Sequence, residues 1–542
     1  MAISENAEAA QESVGRRATR TFFASVVGKV AGLIITTLTF IAVARLLNPS
    51  GYGIYTVAVG YAGLIGAVSI FGIASYFDRN VSYLSYRRDG KGIGKVLANG
   101  YAIVVPISIV LMLVGIGFSG YITQNFLANS GIQVITLMIV SVDLLFSTIW
   151  GASYAALIGF GKGKQAAFAL FSLGAIQLIT GVGLIYAGFY HLVPAIFGGV
   201  NGAVIGLLVG DCYGFLLTTY YTYATYRTYH DEPIRLPKPK EIYKTLQFTL
   251  PLAANNFLYA GTANFGVLFL SMFALPAVVG NYGTAIKGLG MMNVIYGTLA
   301  FVLVQAFSTF LSMKNKKKEI ALSYNNALRY SLLLNLPIVV FVGVFAKPLV
   351  YVFLGPSFSL APTYLFFIAL GTSIGVINSL NSSFLIASGK VKQLMKISAV
   401  AVVIQLAGIL LLVPTFTAVG AIVALYIIGN LSSLALYIKN LRKNFGIRVN
   451  YRTILNLFVT NLVLAMFVST ILTLAGNITQ MMTGLVAMVL IYPPLLVVFK
   501  GIDTKTLDEL VHLVHTMPVM RQAIGQFDSY TRFFMGILDK EA

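Results

Sequence analysis

Runs of about 20 apolar residues recur along this chain from residue 22 to residue 499. That is the length an α-helix needs to cross the ~30 Å hydrocarbon core of a bilayer at 1.5 Å per residue. Fourteen such runs are expected to span, at 22–45, 52–77, 97–118, 132–157, 166–187, 199–222, 245–272, 282–311, 324–346, 361–387, 394–413, 418–438, 453–474 and 480–499. The connections between them are short, and none has room for a folded catalytic domain. Of 542 residues, 58% are hydrophobic and 10% charged, against roughly 25% charged in a soluble domain. Too little polar surface remains to cover a water-soluble particle. A soluble enzyme, a secreted disulfide scaffold and a disordered chain are therefore excluded. The one cysteine, Cys212, can form no intrachain disulfide.

The charges sort by side. With the N-terminus inside, 32 of the 37 basic residues fall in the tails and in every second connection. The opposite loops, near 46–51, 119–131, 188–198, 273–281, 347–360, 414–417 and 475–479, hold one lysine, Lys347, and no acid. Lysine and arginine stay on the cytoplasmic side of a membrane protein, so both termini are expected to be cytoplasmic. The net charge of +20 is then a topology signal with anionic lipid headgroups as partners, and no nucleic acid is called for. The first run is too long for a signal-peptide core and lacks a cleavage site after it.

A repeat runs through the chain. LIGFGKGKQ at 157–165 returns as LIASGKVKQ at 385–393, and Ile176-Gln177-Leu178 returns at the same offset as Ile404-Gln405-Leu406. Tyr52-Gly53 likewise answers Tyr282-Gly283. Spans one to six thus pair with seven to twelve. Because six is even, both halves enter the membrane in the same direction, with a substrate path expected between them. The expected organisation is a tail at 1–21, a six-helix bundle at 22–230, a linker at 231–244 and a second bundle at 245–440. Two further helices at 453–499 and an amphipathic cytoplasmic tail at 500–542 complete it. Gly60, Gly63 and Gly66, and Gly198, Gly199, Gly202, Gly206 and Gly210, have the spacing of packing glycines that let helices approach.

Ionisable groups within a bilayer cost about 2.5–3.5 kcal/mol each on insertion scales and so mark candidate sites. Lys29 lies seven residues into the first span, sharing a helical face with Ser25 and Thr36. The matching face of the seventh span carries Asn255 and Tyr259, with Asn256 and Asn264 nearby. Both first helices are polar at matching depth. Lys29 either lines a central cleft or snorkels to the inner headgroups. Arg45 and Lys287 either line the outer mouth of that cleft or reach the outer headgroups. Arg79, beside Asp78, and Arg329 read as interfacial. Asp143 and Asp211 are the acids well inside spans, and suit either an ion-coupling site or counter-charges to a buried cation. Gln177 and Gln405, at equivalent positions of the repeat, suit hydrogen bonds between helices at least as well as substrate contact.

Other motifs carry no chemistry. Gly159 to Lys164 resembles a phosphate loop but lacks its first-glycine spacing and final Ser/Thr. The four histidines, His191, His230, His512 and His515, are too scattered for a metal site, and no metal or other cofactor is expected. His512 and His515 fall on an amphipathic helix opened by a Thr506-x-x-Glu509 capping box.

The stretch VARLLNPSGYGIYTVAVGYAGLIGAVSIFGIASYFDRNVSYL at 43–84 resembles the opening of the polysaccharide-transporter branch of the MOP (multidrug/oligosaccharidyl-lipid/polysaccharide) exporter superfamily. An arginine closes helix one, a Gly-Tyr-Gly-x-Tyr turn follows, and the second helix is glycine-rich. The SGKVKQ turn, the fourteen spans and the charged tail fit the same family over nearly the whole chain. The resemblance implies an all-α, MATE-like membrane protein of two parallel-repeat six-helix bundles plus two C-terminal helices. It implies a flippase, not an enzyme, that moves a lipid-linked oligosaccharide from the cytoplasmic to the outer leaflet of the cell membrane. Surface-glycan assembly enzymes would be its partners. Related peptidoglycan-precursor flippases carry a basic residue in helix one, a position Lys29 in GKVAG fits. A diphosphate headgroup needs compensating cations, a role for Lys29, Arg45 and Lys287, with the asparagines and tyrosines hydrogen-bonding sugars. The alternative is a multidrug or cation antiporter of the same superfamily, and a membrane glycosyltransferase is disfavoured because the outer loops lack carboxylates.

Overall fold

The computed structural model describes residues 2–69, 72–230, 235–288, 290, 317–472, 477–504, 507–508 and 521–541, with backbone alone for 2–30, 251–252, 255–256, 259, 317–319, 471–472, 477–478, 480–481, 521–524 and 537–541. Every regular element among them is helical. The chain order is α1 (Ala2–Gly66), α2 (Ile73–Tyr86), α3 (Gly90–Asn125), α4 (Val134–Gly159), α5 (Gly163–Phe189), α6 (Gly199–Arg227), α7 (Pro239–Asn256) and α8 (Thr262–Phe273). Next come α9 (276–288), α10 (Lys317–Val344), α11 (Ala346–Phe353), α12 (Ala361–Ala387) and α13 (Val391–Ile422). The last are α14 (Gly429–Phe445), α15 (Tyr451–Leu472), α16 (Asn477–Val498) and α17 (Arg521–Glu541). Nine described helices are long and apolar enough to cross a membrane.

Two of these nine double back. Pro49 lacks an N–H and disfavours helical geometry in the residue before it. Asn48 accordingly sits at φ 56, ψ 174. The rings of Phe40 and Tyr52 lie 5.8 Å apart, although twelve residues of straight helix would separate them by about 18 Å. Within α13, three residues after Pro414, Thr417 sits at φ 48, ψ −123. A side chain on Gly408 would there meet Ala424 Cβ at 3.0 Å. These turns lie within the short loops expected at 46–51 and 414–417.

Elsewhere the apolar runs are interrupted. The run expected at 52–77 stops at Gly66, where Ser69 N–H and Oγ both donate to the Gly66 carbonyl at 2.9 and 2.8 Å. It restarts after Gly72, whose φ of 69 suits glycine. The run at 245–272 is α7 and α8 joined through a π-helical turn, Phe257–Gly261. The run at 282–311 lies largely outside the described residues, α9 covering its start.

The chain divides into two compact units, Met1–Gly283 and Thr284–Ala542. The first has a core of Ile73, Phe77 and Val81 from α2, Ile93 and Leu97 from α3, and Ala152 and Ala156 from α4. The second packs Tyr324, Leu332 and Leu336 of α10 on Leu380 and Phe384 of α12, and on Leu457 and Leu496 of α15 and α16. The outward faces are apolar too. Val110, Leu113 and Phe118 on α3 and Phe168, Phe171 and Ile179 on α5 are all exposed, as lipid-facing helices require.

In the first unit the α6 glycines carry the packing. A Cβ on Gly206 would lie 2.4 Å from Gly181 Cα, and one on Gly198 2.6 Å from Gly188 Cα. The α5 and α6 backbones therefore cross in direct contact, a small-residue packing typical of membrane helices. Gly60 and Gly63 likewise receive Val267 and Asn264 of α8, and Gly66 receives Leu144 of α4.

The turns of the recurring nine-residue segments share one geometry. Lys162 N–H donates to Leu157 O at 3.0 Å and Lys390 N–H to Leu385 O at 2.9 Å. Gly161 and Gly389 sit at φ 70 and 71.

Candidate functional site

Asp143 of α4 and Asp211 of α6, 68 positions apart in sequence, come together in the interior of the first unit. Each is less than one-tenth exposed, and their carboxyl groups lie within hydrogen-bonding reach of one another. Gln177 of α5 donates from Nε2 to Asp211 Oδ1 at 2.9 Å. Its position is fixed by Gly210, where a Cβ would overlap Gln177 Cγ at 2.2 Å. Trp150, two turns beyond Asp143 on α4, brings its indole beside Asp211, and Tyr55 of α1 is near enough to feel the charge of both carboxyls. Four helices thus converge on one acid pair. One Asp143 oxygen and the indole N–H have no partner in hydrogen-bonding geometry. Two carboxylates this close and this deep cannot both stand ionised and bare; the arrangement suits holding a proton or a small cation.

The other sequence-derived candidates are dispersed. Lys29 is on α1 and Asn255 and Asn256 close α7, while Tyr259 is in the π-helical turn. The side chains of these four lie outside the described residues. Asn264, half-buried on α8, donates to Ala260 O at 2.8 Å and lies against Gly63. Arg45 is exposed on α1, and Lys287 is exposed on α9, in the second unit. Arg329 donates to Asp503 Oδ2 at 2.9 Å and to the Gly501 carbonyl at 3.1 and 3.0 Å. Arg79 lies over the Phe248 ring, 5.6 Å from its centroid.

Sequence reasoning singled out both aspartates and gave Gln177 its interhelical bond, but missed Trp150 and Tyr55. A signal existed for Trp150: it is the chain's one tryptophan, seven residues from Asp143 and so on the same helical face.

In the second unit the position after the glutamine-bearing glycine is neutral. A Cβ on Gly429 would overlap Gln405 Nε2 at 2.1 Å, and the next residue is Asn430. Its Nδ2 donates to Gly371 O at 3.0 Å, and Asn378 Nδ2 donates to Asn430 O at 2.9 Å. Asparagine here makes with amides a cluster that the first unit makes with acids.

Helices crossing on glycine stripes, two sharp reversals and a buried polar cluster define a multi-pass helical membrane protein. Solved structures share the fold. A lipid II flippase, MurJ, in an inward closed conformation superposes with a TM-score of 0.68 at 15% identity, covering 89% of this chain and 98% of that one. An inward-facing multidrug-resistance MATE family transporter of the MOP superfamily gives 0.62 at 16% identity, covering 78% and 98%. A MATE transporter in its straight conformation gives 0.55 at 15% identity, covering 79% and 96%. No curated protein matches the sequence. Residues 42–362, more than half of the chain, match the family described as polysaccharide biosynthesis protein. The chain belongs to that family, and it carries the fold of MOP-superfamily transporters.

Proposed function

We propose that this protein is a flippase that carries a lipid-linked oligosaccharide from the cytoplasmic to the outer leaflet by alternating access, for surface polysaccharide or glycan assembly. The observation that carries the reading is the polysaccharide-biosynthesis family match over residues 42–362, laid on a fold shared with a lipid II flippase. The charge pattern supports fourteen spans with both termini cytoplasmic. The identical turns at Gly161 and Gly389 support two like-oriented six-helix halves.

In this reading Lys29, Arg45 and Lys287 offset the charge of a diphosphate in a polar passage, since that group cannot enter hydrocarbon uncompensated. Asn255, Asn256, Tyr259 and Asn264 hydrogen-bond the sugars. The acid pair Asp143–Asp211 takes the coupling proton or cation. Partners are anionic lipids and surface-glycan assembly enzymes.

The test is reconstitution of the full chain in liposomes with a fluorescent polyprenyl-diphosphate saccharide, reading the label's accessibility from outside. Movement that Lys29→Ala abolishes, with expression intact, supports the proposal; no movement by the unaltered protein refutes it. The Asp143–Asp211 pair favours one second reading, a multidrug or cation antiporter. A deletion strain that becomes sensitive to drugs while its surface glycan is unchanged would establish that instead.

A further inference from the structure

A second site lies in the first unit, at the end where α5 hands over to α6. The α3–α4 connection, the end of α5, the 188–198 loop and the start of α6 enclose an open cleft of about 320 Å³. Ile54, Gln133, Thr136, Phe189, His191 and Asn201 contribute to its wall. In the proposed topology this end faces outside, because the loops that form it carry no lysine, arginine or acid.

Its polar groups are wired in one direction. Thr136 Oγ1 donates to Asn201 Oδ1 at 2.6 Å, and Asn201 Nδ2 donates to Gln133 Oε1 at 3.2 Å. Thr136 and Asn201 are buried while Gln133 is exposed, so the relay fixes the orientation of the Gln133 amide. Its Nε2 keeps both protons to offer to a ligand.

The placement of His191 is the second observation. Helices here commonly close with a residue at positive φ: Gly161 and Gly389 fill that position for α4 and α12, and Arg88 and Lys500 fill it after α2 and α16. α5 closes in the same way, with His191 N–H donating to Gly188 O at 3.2 Å and Leu192 N–H to Ala187 O at 2.9 Å. The residue there is a histidine, at φ 54. Glycine adopts this conformation freely, and histidine is among the few other residues found in it more often than most. His191 is exposed and contributes to the cleft wall, as does Phe189, whose ring is also exposed.

We propose that this cleft binds one neutral sugar ring at the outer face. An amide, an imidazole and a hydroxyl network match a hydroxyl-rich ligand, and Phe189 offers a face for ring C–H groups. Among the cleft residues none is an acid, a lysine or an arginine, so a diphosphate has no counter-charge there. The volume is at the low end of the ~300–1,000 Å³ of ligand sites, enough for a single ring. The choice of a saccharide rests on the flippase reading above; the donor geometry does not.

The test uses the full chain in lipid nanodiscs and saturation-transfer NMR with methyl β-glucoside, methyl β-galactoside and N-acetylglucosamine. At least one should receive saturation, and His191→Gly and Gln133→Leu should each lower its signal at least fivefold. His191→Gly relieves the backbone and should unfold at no lower temperature than the unaltered chain, so its loss of signal cannot be misfolding. Saturation of none of the three, or equal signal in both variants, overturns the proposal. Saccharide binding that persists in a protein unable to flip supports the cleft and refutes the flippase reading. Flipping that persists with variants indistinguishable by NMR refutes the cleft alone.

Discussion

The phenolic hydroxyl of Tyr492, on α16, donates to the backbone carbonyl of Leu333, on α10, at 2.8 Å. That carbonyl is four residues before Pro337, whose ring nitrogen has no proton to give it. Leu333 is buried, and a bilayer supplies no water to a bare carbonyl. A tyrosine on a neighbouring helix thus completes the hydrogen bond that a proline removes from α10. The same arrangement recurs one helix on: Tyr530 of α17 donates to Leu490 O at 3.2 Å, the carbonyl that Pro494 leaves without its helical donor.

Tyr492→Phe should destabilise the protein by about 1–3 kcal/mol, the cost of leaving a buried acceptor unsatisfied. Pro337→Ala returns an N–H to α10, so in that background the same tyrosine change should cost much less. A double-mutant cycle of thermal unfolding in detergent measures the difference. Additive losses would show that Tyr492 acts through ring packing alone.

Tyr530→Phe should loosen α17 rather than the bundle. Thr531 and Met535 of that helix are buried, Met535 in the core of the second unit, while Arg532 pairs with both Asp508 and Asp528. These carboxylates push the already high pKa of Arg532 further up, so the guanidinium keeps its charge at any working pH. Losing the Leu490 bond, worth about 1 kcal/mol, should raise the population of detached α17 about fivefold. Limited proteolysis of the C-terminal segment should speed up by that factor, with the unfolding temperature of the rest unchanged.

Spans are legible in this sequence because twenty apolar residues have few alternatives, and α12 occupies the very 361–387 expected of it. The reversal at Asn48 was marked by Pro49, and the depth of Asp143 and Asp211 by the rarity of acids in such runs. What could not be read is which helix faces which. Membrane helices are apolar on the lipid side as well as the protein side, so periodicity gives no bearing. Trp150 and Tyr55 therefore went unassigned, although the chemistry of each was plain. Pro337 announces an orphaned carbonyl in the sequence, but only the packing of α16 on α10 names Tyr492 as its donor.

The glycines where α5 crosses α6 separate packing from propensity. Gly206→Ala places a methyl 2.4 Å from Gly181 Cα, and backbone cannot move aside as a side chain can. A loss of about 1–3 kcal/mol follows from overpacking. Gly183, on α5 close after Gly181, has nothing within 4 Å of its would-be Cβ. Gly183→Ala should be neutral or stabilising by up to about 1 kcal/mol, the helix-propensity gain. Unfolding temperatures of the two variants should move in opposite directions or, at the least, differ clearly.

The acid pair makes the sharpest division between structure and coupling. Gln177→Ala takes from Asp211 its neutral donor and should destabilise the first unit by about 1–3 kcal/mol. Asp143→Asn and Asp211→Asn keep shape and hydrogen-bonding capacity while removing one charge each, so both should fold at least as stably as the unaltered chain. If the pair takes the coupling ion, each of the two should nevertheless lose the dependence of transport on an imposed proton or sodium gradient in liposomes. In the second unit an asparagine, Asn430, follows the glycine that seats Gln405, and its amide donates to the Gly371 carbonyl. Gradient dependence unchanged in both variants would reduce Asp143 and Asp211 to a structural hydrogen bond between α4 and α6.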